Sequence, residues 1–146
     1  MLAKRTIIGV EARVLGFVAA GSALGALTRW ALTALPGFGH LPTSGTLVAN
    51  LIGAFVLGTV LEGLREPLLR AWLADVRMLM GSGFCAGLTT YSSFALELIR
   101  MGATSPIEAA IYATLTILGG LTLATVGFQV GSAIRKRRWR RRRGQA

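Results

Sequence analysis

Four apolar runs, at residues 14–35, 47–64, 76–99 and 107–134, divide this chain, with short polar connections between them. A hydrocarbon core of about 30 Å needs about 20 helical residues, so each run predicts a spanning helix. The third run is broken by Gly87-Leu88-Thr89-Thr90-Tyr91-Ser92-Ser93-Phe94, placed near its middle. Glycine and β-branched threonines weaken a helix. A discontinuous helix frees backbone N–H and C=O groups, which a membrane tolerates only where protein, water or an ion satisfies them. The expectation is an all-α membrane protein of four helices with the third broken. A chain this small has a thin core of its own, which favours an oligomer.

The other runs carry smaller polar features. Gly21, Gly25 and Arg29 recur every four residues in the first, a spacing that lets helix backbones approach closely. Arg29 allows two readings: an interfacial anchor beside Trp30, or a cation drawing anions toward a mouth. In the second run Thr46 and Asn50 share a face, continued by Ala54 and Gly58. The Asn50 amide either glues helices together, at about 1 kcal/mol, or donates to an anion. Tyr91 and Phe94, three apart, project to one side, and their ring edges carry partial positive charge. Glu97 follows three residues later. In the fourth run Tyr112, Thr116 and Gly120 form a four-residue stripe extended by Gly127 and Gly131, whose glycines read as a packing seam. His40 and the Pro42, Thr43 and Ser44 cap region fall in the first loop.

Composition supports the membrane reading: 146 residues, 53% apolar and only 15% charged, with a mean hydropathy of +0.59. The first run continues past Arg29 to Leu35, longer than a signal-peptide core needs. One cysteine, Cys85, and one histidine, His40, leave no disulfide, no zinc ligand set and no nucleophile–base pair. Metal or covalent catalysis therefore has no support. Of sixteen basic residues, fourteen fall on the side shared by both termini and the middle loop, leaving Arg29 and Arg100. The positive-inside rule places both termini in the cytoplasm. The basic tail, residues 135–146, reads as a solvated anchor facing lipid headgroups rather than a nucleic-acid arm.

Four passages together resemble the Fluc, or CrcB, family of fluoride channels: Leu24-Gly25-Ala26-Leu27-Thr28-Arg29-Trp30, Gly45-Thr46-Leu47-Val48-Ala49-Asn50-Leu51-Ile52-Gly53, Gly83-Phe84-Cys85-Ala86 leading into the octapeptide, and Glu97. The resemblance covers all four runs. It implies a dual-topology, antiparallel dimer with two pores that exports fluoride passively across the bacterial inner membrane. The pathway it implies comprises Thr46, Asn50, Tyr91, Phe94, Tyr112 and Thr116, with Arg29, Ser92, Ser93 and Glu97 as vestibule or support. It also implies a central structural sodium (Na+) held by the backbone carbonyls of Ala86 and Thr89. Three positions depart from the family pattern: Tyr91 stands for phenylalanine, Ala86 for glycine, and Gly120 for a third hydroxyl.

Two other functions compete. A small proton-coupled multidrug exporter wants a carboxylate near a span's midplane, whereas the acidic residues here read as loop or segment-end positions. A membrane-anchored scaffold or nucleic-acid-binding protein would rest on the arginine tail. A homodimer is the expected assembly. The fourteen-to-two charge bias keeps a heterodimer with an oppositely oriented paralogue open.

Overall fold

The computed structural model describes residues 2–34, 44–65 and 71–143. The loop readings at His40, Pro42 and Thr43 lie outside them. Helix α1 (Leu2–Ala34) is followed by α2 (Ser44–Gly63) and α3 (Ala71–Arg77). A π-helical stretch (Met78–Phe84) then leads into the single turn α4 (Cys85–Leu88), and α5 (Tyr91–Thr104) and α6 (Pro106–Arg143) complete the chain. The described residues contain helices and no strand.

Among the described residues three helical stretches are long and apolar enough to cross a membrane: Glu11–Ala34, Gly45–Gly63 and Pro106–Arg141. The third apolar run is divided among shorter elements. Its helix yields at Thr89 and Thr90, whose backbones are extended (φ −80°, ψ 153° and φ −149°, ψ 124°).

Small residues set the packing. A Cβ on Gly21 would collide with the Leu79 carbonyl, one on Gly25 with that of Phe84, and one on Gly87 with that of Ser22. These absences let α1 lie against the π-helical stretch and α4 backbone to backbone. The wider π turn exposes its carbonyls to such an approach, and the Ser22 hydroxyl donates to the Gly83 carbonyl at 3.3 Å. The most extensive pairing is α2 with α6. There Gly58 meets the Ala124 carbonyl, Gly127 that of Phe55 and Gly131 that of Thr59.

The seam reading therefore holds for Gly127 and Gly131 but is corrected at Gly120, where a Cβ would meet open space. Four-residue spacing places residues near one face. It does not say how far along that face the neighbouring helix reaches.

The basic tail also needs correcting in part. Helix α6 runs unbroken through 38 residues to Arg143, about 57 Å at 1.5 Å per residue. Its Arg135 is not solely a solvated anchor, because it bonds the Glu62 carboxylate at the end of α2. Glu62 is only 3% exposed, and a buried carboxylate needs such a partner. Replacing Arg135 with alanine should cost about 2 kcal/mol in thermal or denaturant unfolding. That falls below the value for a fully buried pair because the arginine is 37% exposed. Loss of less than about 0.5 kcal/mol, the ordinary range of a surface change, would contradict it. At the same end Arg13 pairs with Asp75, joining α1 to α3.

Candidate functional site, a polar cleft at the helix break

The site begins with the two extended residues. Thr90 caps α5, its Oγ1 accepting from the Ser93 N–H at 3.3 Å. Thr90 Oγ1 also lies 3.2 Å from both the Ser92 and the Ser93 hydroxyl oxygens. The Thr90 N–H donates to Asn50 Oδ1 at 2.8 Å, and Asn50 Nδ2 donates back to the Thr90 carbonyl at 3.2 Å. One amide on α2 therefore satisfies both backbone groups of Thr90. This is a side-chain substitute for the lost helical ladder, and it leaves the second amide hydrogen of Asn50 for another acceptor.

The other side of the break is held by Arg29, whose Nε donates to the Gly87 carbonyl at 3.3 Å. A cation at the C-terminal end of a helical turn also suits its partial negative charge. Arg29 thus supports α4 from a half-buried position. In an unbroken helix Thr90 N–H would bond the Ala86 carbonyl, and Ser93 N–H that of Thr89. Both N–H groups are engaged elsewhere, with Asn50 and with Thr90 Oγ1. The Ala86 and Thr89 carbonyls are thereby released from the ladder. Both residues line a cavity of about 320 Å³ with Gly53, Ser82 and Cys85. Hard-cation chemistry suits carbonyl oxygens. Among the described residues no cluster of histidine, cysteine or carboxylate side chains forms a metal site.

The aromatic pair divides. Phe94 is buried at 8% exposure, its ring centroid 5.4 Å from that of Tyr112 on α6. Tyr91 is 81% exposed and 6.1 Å from Phe94. Together with Asn50, Thr89, Thr90 and Thr116 the two rings line a cleft of about 330 Å³. The start of α5 faces this cleft. The first N–H groups of a helix lack intrahelical partners, and its dipole favours negative charge there.

Next to the cleft, Glu97 joins three helices. Thr46 Oγ1 donates to Glu97 Oε1 and the Tyr112 hydroxyl to Oε2, each at 2.6 Å. Thr46 and Tyr112 are both 4% exposed. This cluster is a pair of hydroxyl donors closed on a carboxylate, an internal anion. Thr116 donates its own proton to the Tyr112 carbonyl at 2.8 Å. It offers a donor to the cleft only when that bond is exchanged.

All six sequence-derived pathway residues are thus brought together, in two connected groups. Asn50, Tyr91, Phe94 and Thr116 line the cleft, while Thr46 and Tyr112 close on Glu97. One member escaped the sequence reading, and a second was read there only as a helix breaker. Ile117 completes the cleft wall and carries no polar signal. Thr90 is the hinge of the whole arrangement. Its signal was present as a capping residue three positions ahead of Ser93.

Apolar helices of spanning length around a polar, aromatic break define a multi-pass membrane protein with an internal polar site. The chain belongs to the family described as CrcB-like protein, Camphor Resistance (CrcB), which matches residues 16–128. That range includes the cleft, Glu97 and Arg29, and stops short of Arg135. A protein of Methanopyrus kandleri called fluoride-specific ion channel FluC is 34% identical over 133 residues, covering 88% of this chain and 96% of its own length. One from Neisseria meningitidis serogroup B with the same description is 34% identical over 116 residues, 79% of this chain and 92% of its own. A third, from Aromatoleum aromaticum, reaches 37% over 123 residues, 81% of this chain and 90% of its own.

Proposed function

We propose that this protein is a fluoride channel of the plasma membrane, passing the ion through the cleft between α2, α5 and α6 without coupling to another substrate. The observation that carries the reading is the convergence of Asn50, Tyr91, Phe94 and Thr116 on one cleft at the start of α5. The relatives described as fluoride-specific channels supply the ion. Fluoride is costly to dehydrate, so donors must replace its water along the way. The free amide hydrogen of Asn50, the α5 terminus and the edges of two rings do this without a fixed cation to trap the ion. Farther along, Thr46 and Tyr112 take the ion only by exchanging Glu97 for it. Glu97 therefore works as a movable placeholder. Tyr112→Phe removes one of the two donors and should lower fluoride flux about tenfold, the worth of one charge-assisted hydrogen bond. Unchanged flux in vesicles would remove Glu97 and its partners from the path.

In this reading the segment from α3 to α5 is the third of four passes, with its break at mid-membrane. Two copies in opposite orientations place their breaks together. The Ala86 and Thr89 carbonyls of each copy then supply ligands to one sodium ion, whose part is to fix the two breaks against each other. Two carbonyls from one chain are too few for such a site, which is the physical argument for the dimer. The charge bias favours a single orientation for each chain, so a paralogue of opposite bias is the alternative second copy. Mass measurement of the chain purified alone separates the two: a dimer supports self-assembly, and a monomer that dimerises only with a paralogue supports the heterodimer.

The one feature favouring a proton-coupled exporter is Glu97, a half-buried carboxylate within the polar cluster. Drug-dependent proton movement in vesicles would support that reading. The decisive test of the fluoride reading is growth. In cells stripped of their own fluoride export, this chain should restore growth on fluoride medium. Expression in the membrane without rescue would refute the proposal.

A further inference from the structure

Hydroxyls in the long helices are commonly spent within their own helix. Those of Thr59, Thr116, Thr122 and Thr125 each donate to the carbonyl four residues earlier. The hydroxyls of Ser82, in the π-helical stretch, and Tyr91, at the start of α5, behave differently: among the described residues neither has a hydrogen-bond partner. Both flank the break at mid-membrane, where an unsatisfied hydroxyl is costly. Ser82 lines the cavity of about 320 Å³ with Ala86 and Thr89. Tyr91 lines the cleft, whose wall also includes Thr89. Thr89 joins the two, so Ser82, the released carbonyls and Tyr91 follow one another along one side of the chain. That side is the one the second copy covers, and both hydroxyls are covered with it.

We infer that the Tyr91 hydroxyl of each copy donates to Ser82 Oγ of the other, one such bond on either side of the paired breaks. The inference rests on the pair of opposite orientation proposed above. Breaks that meet about a two-fold axis at residues 86–89 bring together groups equally distant on opposite sides of the break. Ser82 lies about 8 Å before the centre of those residues, at 1.5 Å per helical residue. Tyr91 lies about 8 Å after it, because the extended Thr89 and Thr90 advance about 3.3 Å each. Within one chain the two residues are therefore about 16 Å apart along the pass and do not bond. Across the axis they stand at the same depth. The phenol is the stronger acid of the two hydroxyls, so it donates and Ser82 accepts. This gives the tyrosine a role in assembly that phenylalanine at the same position does not fill.

The test measures the dissociation constant of the detergent-solubilised pair for the native chain, Ser82→Ala, Tyr91→Phe and the double variant. Two interhelical hydrogen bonds of the modest strength found in membranes predict about tenfold weaker association for each single variant. The double variant should associate no more weakly than either. Native-strength association of either single variant overturns the inference, as does a double variant whose loss is the product of the two. Cross-linking tests the geometry. In a Cys85→Ala background, Ser82→Cys combined with Tyr91→Cys should give covalent dimers with a short bifunctional maleimide, and neither cysteine alone should. Dimers from Ser82→Cys alone would set equal residues side by side, the mark of parallel copies, and would overturn it. A native chain that stays monomeric overturns this contact together with self-assembly, whereas variants that pair at native strength overturn the contact alone. None of these readouts depends on fluoride flux.

Discussion

Replacing Asn50 with alanine should abolish fluoride flux while leaving a protein that can be purified. The amide holds both backbone groups of Thr90, at 2.8 and 3.2 Å. Its removal strands a part-buried N–H and a carbonyl at once, at about 1–3 kcal/mol each. The start of α5 then loses its fixed position, and the cleft loses its amide donor. A combined loss of about 3 kcal/mol corresponds to roughly a hundredfold in flux. Asn50→Asp separates the two contributions. It keeps an acceptor for the Thr90 N–H but sets a carboxylate against the Thr90 carbonyl and against any anion in the cleft. It should be as inactive as the alanine variant. Flux from either variant within threefold of the native chain would mean that ions do not pass by Asn50.

Gly87→Val should fail earlier, at folding. Its side chain would enter the space filled by the Ser22 carbonyl on α1, and no rotamer of a flexible neighbour relieves a collision with backbone. Overpacking of this kind costs about 1–3 kcal/mol and more where backbone blocks relief, and here it also pushes away the carbonyl that Arg29 holds. The expected result is little or no protein recovered from membranes in a stable form. Gly102→Ala is the matched control. Nothing lies within 4 Å of a Cβ there, and alanine favours a helix by up to about 1 kcal/mol. Normal yield of Gly87→Val, with a melting temperature near that of the control, would show that α1 and α4 are not packed as described.

These two positions mark how far residue patterns reach. Gly21, Gly25 and Gly127 were readable as packing positions because helix contact needs small residues at a helical period. Gly120 followed the same period and faces open space, since the period carries no information about where a partner helix ends. A weak point was legible from Gly87 and two threonines, but the helix holds through Leu88 and yields at Thr89 and Thr90 rather than across residues 86–89. The π-helical stretch before it has no counterpart in the residue pattern. Asn50 allowed two readings from sequence alone. Its actual partner lies forty residues away and is backbone, a kind of contact no side-chain pattern announces. Glu97 looked peripheral because it stood near a segment's end. Packing of α2 and α6 around α5 turned it into the acceptor for Thr46 and Tyr112.

Arg135 shows the reverse case, where composition misled. One residue in a run of arginines reads like its neighbours, yet it alone of that run is paired with the buried Glu62 in the bonds described. A deletion meant to test the tail should therefore begin at Lys136. Removing residues 136–146 should leave fluoride flux within about twofold of native, because Arg135 and the matched region 16–128 remain intact. Loss of flux with normal yield would give the tail a part in conduction.

The account rests on passage of fluoride through the cleft. The direct measurement is efflux from liposomes loaded with potassium fluoride, with a potassium ionophore providing the countercurrent and a fluoride electrode outside. The purified native chain should release fluoride rapidly only when the ionophore is present, and liposomes loaded with chloride should retain it. Asn50→Ala liposomes should match empty ones. Fluoride release no faster than from empty liposomes, with the assembled protein intact in the membrane, would contradict it.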